Sequence, residues 1–489
     1  MSATTNPLQL VSFGEVDAES DSRLSDFFVD TGVLKRLGDG SRQFVIGRKG
    51  SGKTALFQQA QTTLTKSKIV PMEFSDYAWE QHKAVKELGM PAEGAYTASW
   101  IFTFLIASCN EWRKSKNADI AKAAEHVYGQ IFGAEHTGKL GALFDKLKRL
   151  RRLDLPNAGD LCGLGGFELD DAPAGECLAR AANLWNQKLL ELADSLYRIE
   201  PTTILVDRLD DGWDATSEIK NMLAGAIKAA RSLNLRYGRA NSPRPVVLFL
   251  RSDIYNELAF NDKNKLSGSI EYLEWDDDEL LLVIKQRIAR SLAVPMINAW
   301  ETVFSPEQMR QRAFISSYLL KRTMQRPRDI IAFSKFCRDA AVKEGHQRIE
   351  TSDIYEGEVG YSRHVFDELA DEIHKQLPEY PALFRSLRAL GYTRFKFPSW
   401  LEAEKQIQPG ITQEEASQHL KALFDFGVIG VPRVGGKRGG STFEFAYQDR
   451  YLDPRFDSDL VVHPALRKHL ALRDATAENP DTPLDEAPE

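Results

Sequence analysis

One run of residues early in the chain has the composition and spacing of a phosphate-binding turn. Residues 47–54 read Gly-Arg-Lys-Gly-Ser-Gly-Lys-Thr and fit the pattern G-x-x-x-x-G-K-[ST]. The glycines let the backbone bend so that successive N–H groups point at one anion, at the N-terminus of a helix. In this pattern the Lys53 ammonium contacts the β- and γ-phosphates, and the Thr54 hydroxyl ligates Mg²⁺. The predicted site for ATP and Mg²⁺ comprises Gly47, Arg48, Lys49, Gly50, Ser51, Gly52, Lys53, Thr54 and Ala55.

Such a turn needs a second metal ligand, a carboxylate at the end of a neighbouring strand. The apolar run that starts at Thr202 ends in Asp207, which we predict to be that ligand. Two more carboxylates follow, and either could orient the attacking water. We favour Asp210 as the general base, with Asp211 as its competitor. The alternative for both is a structural role, because Asp is also common at helix N-caps.

Two arginines are candidates for the γ-phosphate, where negative charge develops during hydrolysis. Arg251 ends a second apolar run and could sense hydrolysis, with a structural ion pair as the alternative. Arg328 lies in the first turn of a predicted helix that begins at Pro327. It could couple this helix to the nucleotide; Arg326 is its competitor, and a structural cap is the alternative. The predicted catalytic set is Lys53, Asp210, Asp211, Arg251 and Arg328.

The elements that must position these residues alternate between strand and helix. Gln43–Gly47 reads as a short buried strand, the residues after Lys53 as a helix, and Lys68–Phe74 as another strand. The runs at 202–207 and 245–253 are almost continuously apolar, which is typical of central parallel strands. Functional groups belong at the carboxyl ends of such strands. The pattern therefore predicts an α/β fold, a P-loop NTPase sheet sandwiched by helices.

The rest of the chain divides by composition. Residues 24–37 predict one helix, and helices before a Gly-rich basic ribbon at 428–447 predict a winged helix. The acidic end has almost no large apolar side chains and should be disordered. The predicted segments are a helical lead-in (1–40), a core (41–270) with a helical insertion at about 77–200, a helical lid (271–358), a winged-helix-like domain (359–473) and a disordered tail (474–489).

Bulk properties restrict the class of protein. The chain has 489 residues, 43% hydrophobic and 27% charged, close to a soluble globular average. No apolar run approaches the roughly 18 residues that span a bilayer, and the N-terminus carries no apolar leader, so we predict a cytoplasmic protein. A formal charge of -7 gives no general attraction for nucleic acid. The 4 cysteines lack the C-x-x-C spacing typical of zinc or iron–sulfur sites.

In their order, these motifs resemble those of the signal-transduction (STAND) and AAA-type P-loop ATPases over about residues 40–350. The strongest resemblance is to a bacterial P-loop ATPase family marked by GRKGSGKTAL, RSDIY and RPRDII, which is similar to the NACHT and KAP groups. It implies an ASCE-type core, the metal role for Asp207 and the base role for Asp210. It also implies a nucleotide-gated switch in bacterial stress or antiviral defence that forms homo-oligomers and commands an effector. This chain shows no obvious effector domain, so a separately encoded one is implied, and Arg208 replaces a small or acidic residue, which implies slow turnover or ATP binding alone.

The main alternative is a DNA-binding initiator ATPase, which also joins a P-loop core, a lid and a winged helix. Its support is the basic ribbon tip with Arg433, Lys437 and Arg438. Against it, the charges of residues 361–473 roughly cancel, whereas a duplex-binding face is usually basic. A packing or partner-binding role is therefore favoured.

Other patterns carry less weight. Leu266–Ser269 resembles an ABC or SMC signature but lacks its final Gly-Gln, and a small-molecule kinase would not need a lid and a ribbon. A basic helix face could contact nucleic acid or an acidic partner, although a solvated face is commoner: Lys139, Lys146, Lys148, Arg149, Arg151 and Arg152. The candidates for an arginine finger are Arg231, Arg236, Arg239 and Arg244.

Overall fold

The computed structural model describes residues 6–73, 92–132, 186–433, 442–452 and 454–483. Contacts divide the chain into two compact units. We call residues 30–48 and 53–273 the sheet unit, and residues 1–29, 49–52 and 274–489 the C-terminal unit. The middle of the predicted phosphate turn, residues 49–52, thus belongs to the C-terminal unit by its contacts.

Helices and strands are numbered in chain order. Up to residue 273 they are α1 (Pro7–Leu10), α2 (Leu24–Phe27), α3 (Val33–Gly38), β1 (Phe44–Gly47), α4 (Lys53–Thr63), β2 (Lys68–Glu73), α5 (Ala92–Trp112), α6 (Ala118–Phe132), α7 (186–196), β3 (Thr202–Asp207), α8 (Ser217–Tyr237), β4 (Val246–Arg251), α9 (Ser252–Glu257) and β5 (Ile270–Tyr272). After it they are α10 (Asp277–Leu292), α11 (Met296–Val303), α12 (Ile315–Leu320), α13 (Pro327–Glu344), α14 (Thr351–Ile373), α15 (Tyr380–Leu390), β6 (Tyr392–Phe395), α16 (Phe397–Ile407), α17 (Gln413–Asp425), β7 (Ile429–Arg433), β8 (Thr442–Glu444), β9 (Leu460–Val462), β10 (Arg473–Thr476) and β11 (Asn479–Pro483).

The sheet unit is built on a five-stranded parallel sheet with the order β2-β3-β4-β1-β5. Strands β1 and β3 are buried along their whole length, as their apolar β-branched residues predict. The register sets Gly47 opposite Arg251 and Glu73 opposite Asp207, so the carboxyl ends share one edge. Strand β4 lies between the strand that leads into the turn and the strand that ends in Asp207. The predicted α/β fold of the P-loop class is confirmed.

Helices α5 and α8 pack closely in the sheet unit because a glycine lies at their crossing. A Cβ atom at Gly225 would lie only 2.7 Å from the Cβ of Tyr96. Nearby, the indole of Trp100 donates a hydrogen bond of 3.1 Å to the carbonyl oxygen of Met222. The apolar stretch around Trp100 is buried within this packing, as its composition predicts.

The single helix predicted over residues 24–37 is wrong. The structure has two short helices there, α2 and α3, and the segment is divided between the two units after Val29. Asp30 explains the new start, because its carboxylate accepts hydrogen bonds from the backbone N–H groups of Gly32 and Leu34. Gly32 has a φ of 82°, a left-handed conformation that interrupts a helix.

In the C-terminal unit, α10 to α13 and the first part of α14 occupy the region predicted to be a helical lid, and α14 continues across the predicted boundary at residue 358 to Ile373. Helix α13 packs on α14 at Gly357, where a Cβ would lie 2.8 Å from the backbone nitrogen of Cys337. Beyond them, helices α15 to α17 accompany a six-stranded sheet with the order β11-β10-β6-β9-β7-β8. The predicted ribbon is present as the antiparallel pair β7 and β8.

The expectation of a disordered tail from residue 474 is wrong over residues 474–483. Strand β10 pairs in parallel with β6, and β11 pairs antiparallel with β10. Side-chain bonds hold this segment: Thr393 donates to Asp474 (3.1 Å), and the Glu478 carboxylate accepts from the backbone N–H of Lys396 (2.8 Å) and the hydroxyl of Ser399 (2.7 Å). These tertiary bonds replace the apolar burial that the composition lacks.

Candidate functional site: a phosphate turn with a buried aspartate

The glycines of the turn adopt the conformations that the predicted function requires. Gly50 and Gly52 have φ values of 79° and 95°, in the left-handed region that disfavours other residues. Alternation of such residues with ordinary ones gives the backbone the form of an anion-binding nest. Thr54 and Ala55 follow in the first turn of α4, so the helix N-terminus lies directly after the turn.

Lys53 anchors the sheet-unit part of the turn. Its ammonium donates hydrogen bonds of 3.0 Å each to the carbonyl oxygens of Gly47 and Arg48. Burial lowers the pKa of Lys53, and the carboxylates of Asp210 and Asp207 partly oppose that shift. The lysine is therefore held beside two carboxylates at the end of β1.

Asp207 is a buried carboxylate with the properties of a metal ligand. It is 3% exposed, and the backbone N–H of Arg208 and the Thr54 hydroxyl favour its charged form. Its Oδ2 atom is buried and has no hydrogen-bond partner in the part of the chain that the structure describes. Burial raises the pKa of Asp207 to about 6. A buried acceptor next to a hydroxyl is a hard-oxygen donor set that suits Mg²⁺, so the predicted ligands Thr54 and Asp207 fit the ion.

Asp210 and Arg251 meet at the same edge of the sheet. The Arg251 guanidinium lies 3.7 Å from Asp210 and donates two hydrogen bonds, of 2.7 and 3.1 Å, to Asp253. Although burial alone would raise it, the pKa of Asp253 is lowered, because Arg251 and Lys53 stabilise its charged form. Arg251, Asp210 and Asp253 thus form one ion-pair network that includes the predicted base. The structural ion pair that we gave as the alternative role of Arg251 is present in this network.

The helix-cap alternative for the two carboxylates after Asp207 is not what the structure shows. Helix α8 is capped by Thr216, whose hydroxyl accepts a hydrogen bond from the backbone N–H of Ile219. Asp211 is exposed, and its backbone N–H donates to the carbonyl of Arg208 in a turn. Asp210 is half-buried, so it is the better placed of the two competitors.

Within the C-terminal unit, three consecutive carbonyl oxygens of the turn each accept a hydrogen bond. Arg326 Nη1 donates to Lys49 (3.3 Å), the backbone N–H of Arg328 donates to Gly50 (3.4 Å), and Trp275 Nε1 donates to Ser51 (2.8 Å). The sequence singled out the two arginines but not Trp275. A tryptophan directly before a capped helix start was the available signal, and its indole N–H is a donor that usually finds a partner when buried.

The two competing arginines have different surroundings. Arg326 is 3% exposed and forms ion pairs with Asp329 (3.0 Å) and Glu372 (3.3 Å). Burial lowers the pKa of Arg326, but these carboxylates more than offset it and raise the pKa overall. Arg328 pairs with Glu368 (2.6 Å) and Asp17 (2.5 Å). Arg326 is thus fixed in the unit, while Arg328 has the more accessible partners.

The structure describes some, but not all, of the candidates for nucleic-acid contact and trans activation. Arg433 is exposed and pairs with Glu444, and Lys437 and Arg438 lie outside the described residues. The basic face predicted over residues 139–152 also lies outside them. The four finger candidates all have partners within the sheet unit, which are Asp262 for Arg231, Asp194 for Arg236, the Tyr197 carbonyl for Arg239 and the Gly40 carbonyl for Arg244.

Comparison with known proteins identifies related regions. Residues 278–370 match the sequence model of a family described as the FunZ-associated C-terminal helical domain. A protein of Escherichia coli (strain K12), named for transposon gamma-delta and its mass of 80.3 kDa, is 25% identical over 487 residues. That alignment covers 92% of this chain but 66% of the relative, so the chain spans slightly less than two thirds of its length.

Solved structures to which this chain is similar include the following three. The Aeropyrum pernix ORC2 protein, in ADPNP and ADP complexes, is 10% identical, covers 90% of this chain and 88% of its own, and gives a TM-score of 0.37. The Walker-type ATPase paby2304 of Pyrococcus abyssi is 12% identical, covers 88% of this chain and 95% of its own, and gives a TM-score of 0.34. The Thermotoga maritima RuvB Holliday junction branch migration motor is 12% identical, covers 94% of this chain and 95% of its own, and gives a TM-score of 0.31.

Across the described residues, none of the helices is long and apolar enough to cross a membrane.

Proposed function

We propose that the chain binds ATP with Mg²⁺ and hydrolyses it as a nucleotide-gated switch. The observation that carries the proposal is the buried Asp207 carboxylate, whose charged form Thr54 favours and whose Oδ2 atom has no hydrogen-bond partner among the described residues. Bound Mg²⁺ would neutralise charge that develops between the β- and γ-phosphates. The hydroxyl and the carboxylate are the two groups that would hold it.

The neighbouring side chains have roles that follow from their charges. Lys53 would exchange its carbonyl partners for the β- and γ-phosphates, Asp210 would accept a proton from the attacking water, and Arg251 would stabilise the γ-phosphate. Slow turnover is proposed from the motif resemblance, because Arg208 replaces a small or acidic residue after Asp207. A slow ATPase has the kinetics that a switch needs, since the ATP-bound state persists.

The hydrolysis proposal is tested by phosphate release with Mg-ATP, using Asp207→Asn and a matched surface control. Asp119→Asn is that control, because Asp119 is an exposed carboxylate on α6. We expect Asp207→Asn and removal of Mg²⁺ by EDTA each to abolish release, while Asp119→Asn keeps the wild-type rate. Wild-type release that is absent, or unaffected by EDTA, rejects the proposal.

The biological setting is proposed from the motif resemblance alone. We infer a role in bacterial stress or antiviral defence, in a homo-oligomer with a separately encoded effector, in the cytoplasm. Turnover per subunit should fall on dilution if a neighbouring subunit supplies an arginine, and a flat dilution series argues against it. Copurification of the tagged full chain identifies the partner.

Duplex DNA binding is the alternative function, and exposed Arg433 on the β7–β8 hairpin is the observation that favours it. Glu444 compensates that charge, however, and the whole chain carries a net charge of -7. A salt-dependent binding assay separates the two functions. Tight wild-type binding that is lost in the Arg433, Lys437 and Arg438 triple alanine variant favours the DNA function.

A further inference from the structure

The three hydrogen bonds on the turn follow a regular pattern. Their acceptors are the carbonyls of Lys49, Gly50 and Ser51, which are consecutive, and their donors come from two separate segments of the C-terminal unit. Trp275 precedes α10, while Arg326 and Arg328 stand at the start of α13. Each of these three carbonyls is therefore bound by a different donor.

The planarity of the peptide bond gives this pattern a consequence for anion binding. In a trans peptide, the C=O of one residue and the N–H of the next point in opposite directions. Fixing the carbonyls of Lys49, Gly50 and Ser51 toward the donors therefore turns the N–H groups of Gly50, Ser51 and Gly52 the other way. Those are the amides that a phosphate turn directs at its anion.

The donors are themselves held in place. Trp275 stands one residue before the Asp276 N-cap of α10, where Asp276 and Glu279 form a reciprocal capping box with bonds of 2.8 and 3.1 Å. Arg326 is clamped by Asp329 and Glu372. A donor whose own position is fixed restrains the carbonyl that it binds, whereas a mobile donor would move together with that carbonyl.

Close packing adds a steric restraint on the same turn. A Cβ atom at Gly50 would lie 3.1 Å from both the Cβ and the Cδ of Arg328. The Lys49 ammonium forms an ion pair with Asp371 on α14. The turn is thus held by its backbone, by packing at Gly50 and by a side chain.

We propose that Trp275 and Arg326 are positioning residues of the nucleotide site, which pre-orient the turn amides toward phosphate and so set the affinity for ATP. This inference rests on the proposed function. Pre-orientation raises affinity because the turn no longer loses conformational freedom when the anion binds. The expected cost of losing one such bond is about a tenfold rise in Kd, the upper end for a single hydrogen bond.

The test compares Trp275→Phe with Trp300→Phe in the full-length chain. Phenylalanine keeps an aromatic ring and removes the indole N–H, and Trp300, which stacks on Phe304 in α11 and its C-cap, is the matched control. Calorimetry with Mg-ATP should show about a tenfold weaker Kd for Trp275→Phe and no change for Trp300→Phe. Equal affinity of both variants and wild type, or equal loss in both, overturns the inference.

A measurement without nucleotide separates the possible failures. In ¹⁵N-tryptophan-labelled protein, the indole N–H signal that disappears in Trp275→Phe should exchange with solvent more slowly than exposed indoles, because it is bonded to Ser51. Rapid exchange contradicts the bond itself. If the wild type binds no Mg-ATP, the proposed function fails as well; if it binds and Trp275→Phe binds equally well, only this inference fails.

Discussion

Arg251 Nη1 lies 3.7 Å from a carboxylate oxygen of Asp210, at the edge of the sheet where β3 and β4 end. The same guanidinium donates two hydrogen bonds to Asp253, so its position does not depend on Asp210. This relationship places the candidate base and the candidate sensor in one network.

Replacing the base should separate binding from hydrolysis. Asparagine has nearly the same shape as aspartate, and Lys53 is unchanged in the Asp210→Asn variant. We therefore expect this variant to bind Mg-ATP while phosphate release falls by about 10²- to 10⁴-fold. Asp211→Asn is the matched control, and it should release phosphate at the wild-type rate because Asp211 is exposed. Loss of release in Asp211→Asn alone would show that the base is Asp211.

Arg328 should discriminate between ATP and ADP if it contacts the γ-phosphate. It would have to leave Glu368 and Asp17 to do so, and we expect Arg328→Ala to weaken ATP binding by about tenfold while ADP binding stays unchanged. Arg338→Ala is the control, because Arg338 lies on the same helix and pairs with Asp339. Calorimetry with both nucleotides decides; equal losses for ATP and ADP assign Arg328 a structural role.

Two glycines with almost the same conformation distinguish backbone strain from a role in the site. Gly50 and Gly345 have φ values of 79° and 78°, but only at Gly50 would a Cβ meet a neighbour within 4 Å. Both alanine variants should lose about 1–2 kcal/mol of unfolding free energy through strain, with Gly50→Ala losing more. Only Gly50→Ala should also lose ATP affinity. Unchanged affinity in Gly50→Ala would contradict the nest conformation of the turn.

His346 gives a pH dependence of stability with a defined sign. Its Nδ1 lies 2.9 Å from a carboxylate oxygen of buried Asp353, and that hydrogen bond raises the pKa of His346. Its stabilisation is therefore complete below the unfolded-state pKa and is lost as pH rises through the higher folded-state pKa. Denaturant unfolding should show that the deficit of His346→Gln relative to wild type shrinks over this range. A deficit constant with pH, or an equal trend in the exposed control His374→Gln, would contradict this pairing.

The sequence was sufficient for the four strands β1 to β4 and for the conformation of the glycines in the turn. The apolar run at 202–207 is β3 with the same bounds, because a strand buried on both faces needs an uninterrupted apolar sequence. The turn pattern likewise specifies two glycines with positive φ. These features are local, and local patterns are what a sequence states directly.

Features that depend on distant partners were not predictable in this way. The polar strands β10 and β11 form because Thr393, Lys396 and Ser399 supply bonds from residues about 80 positions earlier in the chain. Trp275 reaches the carbonyl of Ser51 across 224 positions. The periodicity of apolar residues along a sequence does not predict such a pair, because its geometry arises only when the C-terminal unit has folded.

Calorimetric titration of the purified chain with Mg-ATP tests the central claim most directly, with Lys53→Ala and Lys122→Ala measured in parallel. Lys122 is an exposed lysine on α6 and serves as the charge-matched control. We predict saturable binding for wild type and Lys122→Ala and none for Lys53→Ala. Absence of binding to the wild type, or undiminished binding to Lys53→Ala, would contradict the assignment of Gly47–Thr54 as a nucleotide site.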